Sequence, residues 1–180
     1  RLLDGQTSWG EIVDIQLFGG NVYLLDQTNN QIWKYIPEES GFAAPRNYIS
    51  SDSVVGLQDA TSFSIDGNVW VGTSQGEVIK FYSGKRDPFS LSGIDGGLGS
   101  IDSVFTDADS DFLYLLDSKL GRVVVVNKKD GNYVSSYQSK SFVGATDIAL
   151  NVKSKYLYVL NNQKIFRTEI REAVLTEETP

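Results

Sequence analysis

One six-residue segment occurs four times along this 180-residue chain, and that recurrence constrains the fold more than any other feature. Asn21-Val22-Tyr23-Leu24-Leu25-Asp26 comes back as Asn68-Val69-Trp70-Val71-Gly72-Thr73, Phe112-Leu113-Tyr114-Leu115-Leu116-Asp117 and Tyr156-Leu157-Tyr158-Val159-Leu160-Asn161. Tyr23, Trp70, Tyr114 and Tyr158 are thereby set 47, 44 and 44 positions apart. Each copy is followed by a short polar turn and a second β-rich run: Gln31-Ile32-Trp33-Lys34-Tyr35, Glu77-Val78-Ile79-Lys80-Phe81, Arg122-Val123-Val124-Val125-Val126 and Lys164-Ile165-Phe166-Arg167. The turn residues Gln27 to Asn30, Ser74 to Gly76, Ser118 to Gly121, and Asn162 with Gln163 include Gly, Asn and Ser, which accept the backbone angles of a tight reversal, so each pair reads as a hairpin.

A third strand precedes each hairpin, at Val13-Asp14-Ile15, Thr61-Ser62-Phe63, Asp102-Ser103-Val104 and Thr146-Asp147-Ile148. An outer fourth strand is expected at Arg46-Asn47-Tyr48-Ile49, Pro88-Phe89-Ser90-Leu91 and Tyr133 to Tyr137, because an edge position tolerates proline and polar residues. Four strands in about forty-five residues is the spacing of a β-propeller blade, and no 3.6-residue period points to helices. The predicted fold is all-β: a β-propeller of four tandem four-stranded blades at about 10–50, 58–92, 99–138 and 143–170. Rows such as Ile15, Phe63, Val104 and Ile148, or Tyr23, Trp70, Tyr114 and Tyr158, leave water only when blades pack face to face, each aromatic contributing on the order of 1.5–3 kcal/mol.

Gly144-Ala145-Thr146-Asp147-Ile148-Ala149-Leu150 followed by Lys155-Tyr156-Leu157-Tyr158-Val159-Leu160 resembles the repeat of NHL-type and related bacterial propellers, and Ala60 to Thr73 is similar. The likeness runs from Trp9 to Ile170. Such families usually have six blades, so two readings stand: a complete four-bladed ring, or part of a six- to eight-bladed one. In the first, residues 1–4 supply a closing strand for the fourth blade, and 171–180 form an acidic tail. The absence of methionine, even at position 1, suggests a processed product or a segment of something longer.

Composition bounds the chemistry. The formal net charge is −7 with Lys and Arg dispersed, so no electrostatic footprint for a nucleic-acid backbone is visible. No apolar run approaches the length of a membrane span, and no signal peptide is recognisable. The composition is that of a globular, soluble chain, and the lack of cysteine excludes disulfides while leaving the compartment open. There is no histidine, the side chain on which propeller lyases and hydrolases of the resembling families rely for metal binding or proton transfer. No Gly-x-Ser-x-Gly elbow or phosphate loop occurs, and Gly93 to Gly99 reads as a loop between blades.

Three sets of residues are candidates. Asp14, Ser62, Ser103 and Asp147 share one inner-strand column and can line a central channel that holds a ligand or ion, or can bond the backbone of the neighbouring blade. Asp107, Asp109 and Asp111 alternate like the start of a calcium loop, although Phe112 and Ser118 stand where such a loop needs Gly and Glu, which favours a solvated turn. Trp9 is the tryptophan best placed for partner contact, since Trp33 and Trp70 fall in strand columns. No catalytic residue is assigned and no cofactor is required; calcium is the one candidate ion. A carboxylate-only mechanism drawing on Asp14, Asp102 and Asp147, as in a lactonase-like, calcium-dependent propeller hydrolase, is the rival to a non-catalytic scaffold presenting loops to a protein, peptide or glycan.

Overall fold

The computed structural model describes residues 9–53 and 55–172, and over them the chain is all-β. The first blade holds β1 (Ile12–Phe18), β2 (Asn21–Asp26), β3 (Gln31–Tyr35) and, after a small inserted hairpin of β4 (Pro37–Glu38) and β5 (Gly41–Phe42), the outer strand β6 (Arg46–Asn47). The second is β7 (Ala60–Ile65), β8 (Val69–Thr73), β9 (Val78–Tyr82) and β10 (Lys85–Asp87). The third is β11 (Ser103–Phe105), β12 (Phe112–Asp117), β13 (Arg122–Asn127) and β14 (Tyr133–Gln138). The fourth, three-stranded among the described residues, is β15 (Asp147–Asn151), β16 (Tyr156–Asn161) and β17 (Lys164–Glu169). Every neighbouring pair within a blade is antiparallel, as short turns dictate.

The repeat alignment is also the structural one. Tyr23 pairs with Gln16, Trp70 with Ser64, Tyr114 with Phe105 and Tyr158 with Ala149, so all four rings occupy the same place on the second strand. Successive side chains on a strand point to opposite faces. Each blade therefore has one face turned to the blade before it and one to the blade after it.

Three seams between blades form most of the core, and a smaller cluster of Val22, Leu24 and Tyr35 with Trp9, Ile12, Trp33 and Phe42 lies on the other side of the first blade. Tyr23, Leu25 and Ile32 of the first blade meet Phe63, Val69, Val71 and Phe81 of the second. Trp70 and Val78 of the second meet Val104, Leu113, Leu115 and Val124 of the third, with Ile101 from the connecting loop. Tyr114, Leu116 and Val123 of the third meet Ile148, Leu157 and Val159 of the fourth. The inner strands β1, β7, β11 and β15 follow one another around a common channel, which makes the array a four-blade β-propeller.

Four details depart from expectation. Ile15, in the row meant to leave water, is 57% exposed, because the described residues place no blade against that face of β1. Tyr158 is only half-buried for the complementary reason at the fourth blade. The second blade's outer strand is β10 rather than 88–91: a tight reversal at Ser83 and Gly84, with φ of 50° and 77°, returns the chain at once, and Pro88 has no N–H to extend the ladder. Arg171 and Glu172, placed in the tail by sequence, pack on the third blade, where Glu172 is buried and accepts hydrogen bonds from Ser135 and from the Tyr137 hydroxyl at 2.5 Å. The expected closing strand at 1–4 and the rest of the tail lie outside the described residues.

Candidate functional site

The four inner strands enclose a cavity of about 480 Å³ lined by the expected column and its neighbours, among them Asp14, Gln16, Thr61, Ser62, Ser103, Thr146 and Asp147. The column residues do come together there, and each is engaged by the blades themselves. Asp14 Oδ2 accepts the Phe63 N–H at 2.9 Å and Asp14 Oδ1 accepts the Ile15 N–H at 2.7 Å. Ser62 Oγ accepts the Val104 N–H at 3.2 Å, one blade further on. Ser103 Oγ donates to Asp147 Oδ1 at 2.7 Å, and the same oxygen accepts the Ile148 N–H at 2.8 Å.

At the first two seams the chemical reason is the same, and at the third a side-chain pair makes the link. The innermost strand of a blade has one edge without a strand partner, so the backbone N–H groups of Phe63 and Val104 need an acceptor, which the preceding blade supplies. A short Asp or Ser one strand away is the smallest side chain that supplies one. Burial pushes the Asp14 carboxyl above the ordinary carboxylate range, with nearby Asp147 adding repulsion, while bonds from Phe63, Ile15 and Ser62 oppose the shift.

Asp102, a further acid considered for a carboxylate mechanism, is spent on a loop: its Oδ2 accepts the Ser118 N–H at 2.8 Å and its Oδ1 accepts the Ser100 hydroxyl at 3.1 Å. Asp107, Asp109 and Asp111 lie on the turn between β11 and β12. Asp107 Oδ1 accepts the Asp109 N–H at 2.9 Å, and its carbonyl accepts Lys128 Nζ at 3.0 Å. Among the described residues no group of three carboxylates stands close enough to hold a metal ion. Trp9 is half-buried, donates its indole N–H to the Tyr35 hydroxyl at 2.9 Å and packs edge-on against that ring, 6.2 Å between centroids.

Sequence reasoning left a second polar column without a role. Asp26, Thr73, Asp117 and Asn161 close the second strand of each blade. Asp26 is fully buried and receives the Gly10 and Asn29 N–H groups and the Trp33 indole. Burial pushes its carboxyl up, and these donors more than offset that, leaving it below the ordinary value. Asp117 takes the Leu120 N–H at 3.2 Å and Arg122 Nε at 3.1 Å, and Thr73 Oγ1 takes the Glu77 N–H at 3.1 Å. Recurrence of a short polar residue just before each turn was the available signal: in the first three blades the side chain caps the turn's N–H groups, and in the fourth the Asn161 amide donates to the Ser141 and Val143 carbonyls instead.

No helix among the described residues is long and apolar enough to cross a membrane. No family model matches the chain, and no curated protein matches it. Solved structures do. The computationally designed Ika4 protein is similar over 92% of this chain and 94% of its own, with 12% identity and a TM-score of 0.63. Kuenenia stuttgartiensis hydrazine synthase is similar over 94% of this chain and 49% of its own, with 10% identity and a TM-score of 0.64. The computationally designed Ika8 protein is similar over 88% of this chain and 46% of its own, with 14% identity and a TM-score of 0.58. At such identities the likeness is one of fold, and with the arrangement of the four sheets it shows the chain as a four-blade β-propeller array.

Proposed function

We propose that this chain is a non-catalytic β-propeller scaffold that engages a protein, peptide or glycan partner through its surface. The observation that carries the reading is the use made of the inner polar column. Asp14, Ser62, Ser103 and Asp147 bond to one another's blades, so the residues best placed for channel chemistry already serve to hold the array together. Apolar side chains, by contrast, reach solvent: Leu17 is 75% exposed and Ile165 70% exposed, on the faces of the first and fourth blades that no described blade covers. The resemblance of Gly144 to Leu160 to NHL-type repeats supports the same reading, since a regular repeat without an outlying residue suits a scaffold.

Calorimetry with calcium, on the intact chain and on the Asp14→Asn/Asp147→Asn double variant, tests the claim. The expected result is no heat that depends on the two carboxylates, and binding of peptides or glycans without turnover. A calcium-binding heat abolished in the double variant, accompanied by lactone hydrolysis that falls with it, would replace the scaffold with a metal-dependent hydrolase.

A further inference from the structure

Asn161 breaks the pattern of its column. Asp26, Thr73 and Asp117 each precede a turn of four residues and cap its N–H groups, whereas β16 and β17 are joined by Asn162 and Gln163 alone. Asn162 closes this reversal with a φ of 52°, and so short a loop offers the side chain before it no N–H to cap. Asn161 turns instead to the loop that leads into the fourth blade, donating through Nδ2 to the Ser141 and Val143 carbonyls at 2.9 Å each. Two carbonyl acceptors fix which end of the amide faces them. Oδ1 is left buried with no partner, the one such side-chain atom among the described residues. An acceptor buried without a donor is costly, and it marks a place where a donor from outside the chain belongs.

Asn161 lines an open cleft of about 510 Å³ together with Ser141, Asn162, Gln163, Lys164 and Phe166. Five of these six residues are polar and none is acidic, so the cleft suits a ligand rich in hydroxyls better than an apolar peptide anchor. Asn162, Gln163 and Lys164 are exposed, and unlike the channel column their side chains make no hydrogen bond or ion pair among the described residues. A carboxamide presents a donor beside an acceptor, the pair that neighbouring sugar hydroxyls match, and Lys164 adds a further donor. The half-buried Phe166 ring supplies an apolar wall. We infer that this cleft between the third and fourth blades is a glycan-binding site, with a sugar hydroxyl donating to Asn161 Oδ1 and its neighbours held by Asn162, Gln163 and Lys164. Oδ1 is covered in the free chain, and the sugar reaches it by a shift of the exposed side chains on the two-residue turn.

This inference deepens the scaffold reading by naming the class of partner and the place it binds. Cellotriose, maltotriose, chitotriose and xylotriose are to be tested on the full chain by saturation-transfer NMR. At least one is expected to bind, with a Kd of about 1 mM, and to shift the Asn161 side-chain amide resonance in nitrogen-15 spectra. Gln163→Ala/Lys164→Ala removes two exposed side chains, so the urea midpoint is expected to stay while binding weakens about 10-fold or more. Asn162→Gly keeps the turn's backbone conformation and is expected to weaken binding in the same direction. No binding by any of the four sugars, binding that leaves the Asn161 resonance in place, or binding that survives the double variant would each overturn the site. A scaffold that takes only peptides would fail all of these measurements and still pass the calcium titration, so the two readings fail separately.

Discussion

Asp66 shows how much one side chain does between blades. It sits in the turn joining β7 to β8, accepts the Asn68 N–H and the Trp70 indole at 3.0 Å each, and receives Lys128 Nζ from the third blade at 2.7 Å. Its side chain is 3% exposed and that of Lys128 16%, so the pair is nearly dry, and the same ammonium also holds the Asp107 carbonyl. Removing one partner strands the other, and Lys128→Met is expected to cost about 3 kcal/mol in urea unfolding. Burial pushes the Asp66 carboxyl up, but Lys128 and Trp70 outweigh it and leave the carboxyl below the ordinary value. A depressed carboxyl contributes stability that is present above its unfolded pKa and lost as pH falls through the folded one. The urea midpoint of the intact chain should therefore drop between about pH 5 and pH 2, and Asp66→Asn should flatten that drop. Asp14, shifted the other way by burial, has the opposite sign: its ionisation costs stability above its folded pKa, and acid relieves the cost.

At the scale of the strand, the repeat is informative where it breaks. Gly72 stands in the column that Leu25, Leu116 and Leu160 fill in the other blades. A Cβ there would meet the methyl groups of Ile101 and Val104 at 2.6 Å, so the third blade and its entry loop have taken the volume a leucine would occupy. Gly72→Ala is expected to lower stability by about 1–3 kcal/mol, read from the denaturation midpoint, although alanine is the smallest change available. Nothing in the sequence marks this glycine as a packing residue, since its partners are thirty positions away. The inner three strands of each blade were legible for the opposite reason: alternation, aromatic spacing and turn residues are local and recur. The outer strand of the second blade was not, because Pro88-Phe89-Ser90-Leu91 has strand-like side chains but the reversal at Ser83 and Gly84 had already used the edge.

Across the whole molecule, equivalent residues differ in worth according to which blade they occupy. Leu116 is fully buried in a seam, and Leu116→Ala is expected to cost about 2–5 kcal/mol. Leu160→Ala removes the same side chain from the same column at a solvent-facing blade, and in dilute chain its cost should be less than half as large in parallel denaturation curves. Equal costs would mean that the fourth blade is covered in solution even at low concentration. What the sequence determined by itself was the unit: hairpins, register and the alternation that makes each blade greasy on both sides follow from residue types a few positions apart. What only the tertiary structure decided was which of those faces find a mate. It likewise decided that Asp14, Ser62, Ser103 and Asp147 serve as bonds between blades, and that Gly72 makes room for Ile101. Burial and hydrogen-bond satisfaction depend on what stands across a seam, and residues in neighbouring blades lie some forty positions apart, beyond the reach of any local pattern.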